Sequence, residues 1–188
     1  MRMVLHRDST NVEAIAGLAE IYRTQQRMHA TEGYQRRLIF ETYSKGMELL
    51  EAGDKSAATA IFERGVELHP AHTLALIELG KLASKARRSS EAIGYFERAR
   101  EANPQFAAGR VALGWAYLAD GRYADARVEF EHALRLNINA VDAQLGLAQT
   151  LAGEGRWLEA AHHFEKTLTL DPNSEAAVRG LRETREHL

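Results

Sequence analysis

Apolar residues along this chain gather on one helical face, stop at a turn, and begin again. Between residues 107 and 140, Val111, Leu113, Gly114 and Tyr117 make one stripe and Ala126, Phe130, Ala133 and Leu134 a second, with Gly121 between them. That spacing predicts two amphipathic helices joined by a tight turn. Shifted by 34 residues in either direction, the same residue types return. Phe62, Phe96, Phe130 and Phe164 form one series, each followed by a glutamate (Glu63, Glu97, Glu131, Glu165). Ala58, Ala92, Ala126 and Ala160 form another, and Gly46, Gly80, Gly114 and Ala148 a third. A fixed period of this length means stacked copies of one supersecondary unit rather than a single central core.

From Ile39 onward the register is regular, giving units 39–72, 73–106, 107–140 and 141–174, each a helix, a short turn and a second helix. Gly53, Gly121 and Gly155 fall where a chain leaving a helix needs left-handed backbone; Arg87 stands there in the second unit. Pro70, Pro104 and Pro172 stop the second helices, with Ile138 in the equivalent place of the third unit.

Ahead of the array, Ser9, Thr10 and Asn11 are suited to cap a helix over residues 12–25, with Ala14, Leu18, Ile21 and Tyr22 on its apolar face. The next unit then starts after 27 residues instead of 34. No proline or glycine-rich turn interrupts residues 30–51, and the single Gly33 and Gly46 cost about 1 kcal/mol each against Ala without ending a helix. One long helix is expected there, with the second helix of the first, partial unit shortened or fused. Residues 1–38 therefore read as a degenerate partial repeat. Residues 1–11 resemble the tail of a preceding repeat, which leaves two readings: further repeats upstream, or capping by residues 29–38. Residues 175–188 begin like another first helix, with Val178 and Leu181 on the apolar face. Arg182 and Arg185 then take the places of Gly114 and Tyr117, which predicts a capping helix.

The period, the Leu113-Gly114-Trp115-Ala116-Tyr117 run, the Ala126, Phe130 and Ala133 positions and the closing prolines together resemble the tetratricopeptide repeat. The resemblance covers Ile39 to Leu188, with Lys45 in place of leucine and Ala83 in place of the aromatic as minor departures. It implies an all-α, right-handed α-solenoid whose first helices line a concave groove. Carried onto this chain, the groove positions include Phe40, Tyr43, Met47, Leu50 and Glu51, then Leu74, Ile77, Lys81, Ser84 and Lys85. They continue with Ala108, Val111, Trp115, Leu118 and Ala119, and with Asp142, Leu145, Gln149, Ala152 and Gly153. Trp115, Val111 and Leu118 are expected to serve the groove and not the packing. Some relatives hold chaperone tails with a clamp of Lys, Asn and Arg residues. The counterparts here include Tyr43, Met47, Glu78, Ala108 and Ala112, none of which matches, so that mode is disfavoured.

Composition narrows the field. Of 188 residues 45% are hydrophobic and 27% charged, as in a folded chain. A formal net charge of −2 gives no reason to expect nucleic acid. No apolar run approaches the roughly 18 residues of a membrane span, and no secretory signal opens the chain, so a cytoplasmic setting is the default. With no cysteine, thiolate metal sites and thiol nucleophiles drop out. His162 and His163 are adjacent on a helix and point about 100° apart, a poor geometry for one ion. The histidines are read as solvated, the recurrent glutamates as a solvated face, and no metal, cofactor or catalytic residue is expected. Lys81 and Lys85, one turn apart, could receive a carboxylate, or be two ordinary solvated lysines.

The expected trade is therefore a non-enzymatic scaffold that takes a peptide or amphipathic helix of another protein in an apolar groove, rich in Phe40, Tyr43, Met47 and Trp115. Two alternatives stand beside it. The chain could be the repeat region of a larger enzyme or bacterial polysaccharide-secretion machine, or an assembly protein that self-associates through its irregular first helices. The N-terminal helix could also fold over the groove and hide Phe40, Tyr43 and Met47.

Overall fold

The structure, a computed structural model, describes residues 16–18, 20, 21, 28–137 and 140–188. The helices in order are α1 Met28–Glu51, α2 Lys55–Leu68, α3 Thr73–Lys85, α4 Ser89–Ala102, α5 Ala107–Ala119, α6 Tyr123–Leu136, α7 Val141–Gly153, α8 Trp157–Leu170 and α9 Glu175–Arg185. No strand occurs among the described residues. The long helix expected over residues 30–51 is present and starts two residues earlier, at Met28. Of the helix expected over 12–25, residues 16–18, 20 and 21 are helical; the rest lies outside the described residues.

Local chemistry sets the helix ends. Asp54 accepts the Ala57 N–H at 2.9 Å, Ser174 accepts that of Ala177, and His72 Nδ1 that of Ala75, each satisfying a first-turn donor. Gly53, Gly121 and Gly155 have φ of 84°, 75° and 75°, as the turn positions require, and Arg87 adopts the same left-handed backbone at φ 59°.

Helices pair as hairpins, α1 with α2, α3 with α4, α5 with α6 and α7 with α8, and each second helix packs on the next first helix. First helices also touch one another (α1–α3, α3–α5, α5–α7, α7–α9), whereas no two second helices pack comparably among the described residues. This difference bends the stack and puts the first helices on its inner wall. The result is the α-solenoid that the periodicity predicts.

The four phenylalanines are buried between these layers. A Cβ on Gly114 would lie 2.8 Å from the Phe130 ring and one on Gly146 2.3 Å from it, so glycine on both flanking helices lets one ring fill the gap. Phe164 meets Gly180 of α9 in the same way, at 2.3 Å.

Polar links between units correct two expectations. The glutamates are not all a solvated face: Glu97 accepts from the Tyr117 hydroxyl at 2.6 Å, and Glu129 is buried between Arg100 at 2.9 Å and Arg110 at 2.7 Å. Nor are the histidines all solvated. His72 is buried; its Nδ1 accepts from Ala75, so Nε2 carries the proton and donates to the Ile39 carbonyl at 3.1 Å, tying α3 to α1. His163 Nδ1 meets Gln144 Oε1 at 2.7 Å, tying α8 to α7. Burying unpaired polar groups would be costly, and each of these finds a partner on a neighbouring helix. Lys45, in the place of the buried Leu79, Leu113 and Leu147, is instead exposed and paired with Glu48 at 3.0 Å.

Candidate functional site: an apolar hollow on the first helices

The inner wall carries a hollow of about 740 Å³ centred on α5. Its floor is built from Ala108, Val111 and Trp115, apolar residues at one-turn spacing along α5, with the smallest side chain at the start of the helix and the indole further along. Lys81 and Lys85 of α3 form one wall and Asp142 of α7 the other. Of the residues expected in the groove from the sequence, the structure brings Lys81, Ser84, Lys85, Ala108, Val111, Trp115, Ala119 and Asp142 together here.

The others are placed differently. Phe40 is 65% exposed and Leu74 is exposed. Tyr43, Met47 and Leu50 are half-buried on α1, with the Tyr43 ring tilted against Phe62 at 6.3 Å. Ile77 is only 5% exposed: it packs toward Gly109 between α3 and α5, and so belongs to the core and offers no contact surface. Leu118 and Leu145 are half-buried and pack on the core. Gln149 lines a second, more polar hollow of about 400 Å³ with Trp157, Arg179, Glu183 and His187.

Two features of the site escape the sequence pattern. Trp115 has a packing duty as well, since its ring meets Phe130 in a T-shaped contact. Trp157 stacks on His187 at 4.2 Å, closing the second hollow. That pair has no periodic signal, because His187 sits in the cap where the repeat has already broken. The only hint is the turn position shared by Tyr123 and Trp157, each an aromatic at the start of a second helix.

Lys81 Nζ bonds Glu78 at 2.8 Å, with the ammonium exposed and the carboxylate mostly buried. Among the described residues no group of three or more His, Asp or Glu side chains is arranged to hold a metal ion. No helix among them is long and apolar enough to cross a membrane.

The stacked helical hairpins define a helical-repeat α-solenoid. The tetratricopeptide repeat profile matches residues 43–107, 77–137 and 111–175, and the chain belongs to that family. No curated protein matches it in sequence. Among solved structures, YrrB, described as a tetratricopeptide repeat protein with an unusual peptide-binding site, is similar at a TM-score of 0.70 and 15% identity, over 96% of this chain and 97% of that one. MamA is similar at a TM-score of 0.65 and 19% identity, over 76% of this chain and 93% of that one. The first repeat domain of RPAP3, solved with the HSP90 peptide SRMEEVD, is similar at 0.59 and 24% identity, over 61% and 90%. At these identities the likeness is one of fold.

Proposed function

We propose that this chain is a non-enzymatic interaction scaffold that binds an extended or helical segment of another protein on its inner wall, anchored in the hollow at Val111 and Trp115. The observation that carries this reading is the hollow itself: about 740 Å³, floored by Ala108, Val111 and Trp115, with charges only at its edges. Concave apolar sites with a few convergent polar groups are where ligands bind, and a half-exposed indole is a favoured anchor. The peptide-binding site of YrrB and the HSP90 peptide bound by RPAP3 support the same trade here. The division into four units over residues 39–174, a partial unit before them and a cap over 175–188 is part of this reading. The RPAP3 manner of binding is not, because the positions of the chaperone-tail clamp are Tyr43, Met47, Glu78, Ala108 and Ala112, and Glu78 already pairs with Lys81.

Ala108→Arg tests the proposal, since Ala108 is exposed and its substitution fills the hollow without touching the core. Peptides selected from a random phage-displayed library on the wild-type chain should share an apolar anchor and lose binding to Ala108→Arg. Selected peptides that bind both proteins equally would place the site elsewhere.

A further inference from the structure

The two walls of the hollow carry opposite charge. Lys81 and Lys85 stand on α3 and Asp142 on α7, with the apolar floor of α5 between them. The nearest other cation of that floor helix, Arg110, is committed to the buried Glu129 at 2.7 Å. Neither Lys85 nor Asp142 has a side-chain partner among the described residues. Each is stable in that condition for a local reason: Lys85 lies in the last turn of α3 and Asp142 in the first turn of α7, where the helix dipole favours a cation and an anion respectively. A lone exposed charge is ordinary. Two of opposite sign on facing walls of one apolar hollow are complementary to a ligand that carries the reverse arrangement.

Resting on the groove reading above, we infer that the hollow takes a peptide segment with an apolar anchor between one acidic and one basic residue. The anchor enters over Val111 and Trp115, the carboxylate meets Lys85 and the cation meets Asp142. Because α3 packs on α5 and α5 on α7, the walls are two interhelical spacings apart, about 16–20 Å. The last turn of α3 also lies about 16 Å further along the first helices than the first turn of α7, about 23–26 Å in all. An extended chain rising about 3.3 Å per residue covers this in about seven or eight residues, which sets the separation of the two charges. A uniformly acidic segment would meet Asp142 and a uniformly basic one would meet Lys81 and Lys85, so both are selected against.

The probes are fluorescein-labelled extended peptides with a central Leu-Phe pair and two flanking positions about seven residues apart. These positions hold Glu and Lys, two Glu, two Lys or two Gln. Titrated against the full chain by fluorescence anisotropy, the Glu/Lys peptide should bind about fivefold more tightly than the Gln/Gln peptide, the middle of the range for two exposed ion pairs. The like-charged peptides should bind no better than Gln/Gln. Lys85→Glu should shift the preference to the two-Lys peptide and Asp142→Lys to the two-Glu peptide; both positions are exposed, and unchanged far-ultraviolet circular dichroism checks the fold. Equal binding of all four peptides, lost in Ala108→Arg, would overturn the charge selection and leave the groove reading standing. No binding of any peptide by the wild-type chain would overturn both.

Discussion

The Trp115 and Phe130 rings meet edge to face, with centroids 5.3 Å apart and planes at 75°. One residue of the groove is thereby braced by the residue that fills the core of the same unit. Trp115→Ala should accordingly weaken the fold as well as the site. With the indole half-buried, the loss should be about 1–2 kcal/mol, below the 3–5 kcal/mol of a fully buried aromatic such as Phe130→Ala. Urea unfolding of the two variants compares them directly, and a Trp115→Ala chain as stable as wild type would show the contact to be idle.

Acid should loosen the array at its histidine links. Burial, with Lys166 and His162 adding to it, holds His163 down at about 4, and burial with His69 lowers His72. Both are therefore neutral in the fold and gain protons more readily once unfolded, near the ordinary histidine value of about 6.5. The stability they contribute is present above that value and is lost as pH falls from there toward 4. Melting temperature should fall between pH 7 and 4.5, and His163→Gln should narrow the difference.

Glu129 is clamped by Arg100 and Arg110 from two different helices and is buried. Replacing it with Ala leaves Arg110, itself mostly buried, without its carboxylate. Breaking a buried pair from one side costs about 3–5 kcal/mol. A loss below 1 kcal/mol on chemical denaturation would mean that water replaces the carboxylate.

Two glycine substitutions should act in opposite directions. A Cβ on Gly94 in α4 meets nothing within 4 Å, so Gly94→Ala should stabilise by about 0.5–1 kcal/mol through helix propensity. At Gly146 the same methyl would lie 2.3 Å from Phe130, and overpacking should cost about 1–3 kcal/mol. Thermal melts of both variants read the difference in sign.

Arg87 holds φ 59° in an exposed turn where its counterparts are glycines. Arg87→Gly should relieve about 1 kcal/mol of left-handed strain, seen as a higher unfolding midpoint.

Much of the fold could be read from residue types alone, because each recurrent residue has one job that its chemistry dictates. Phe at one register, Gly or Ala opposite it and Gly at the turn leave few ways to stack, and even the anomalous Arg87 and the long α1 were visible as departures from the pattern. The site was less legible. Periodicity assigns a residue to a face but not to a depth, so Ile77 looked like a lining residue and proved to be core. It also hides residues with two duties, as at Trp115. Links such as Glu129 with Arg100 and Arg110, or His163 with Gln144, join residues far apart in sequence whose types do not repeat, so no window of the chain displays them.

The position of Phe130 between Gly114 and Gly146 has a consequence for how the molecule comes apart. Phe130 and Phe164 each press on a glycine of the following first helix, whereas the positions that match in register after Phe62 and Phe96 hold Glu78 and Ala112. In a stack whose stability is a sum of nearest-neighbour terms, tighter seams at the C-terminal end make that half the last to open. Amide hydrogen exchange should therefore run ahead in α1 and α2 and lag in α6 to α8, so that the array unzips in one direction rather than fraying equally from both ends.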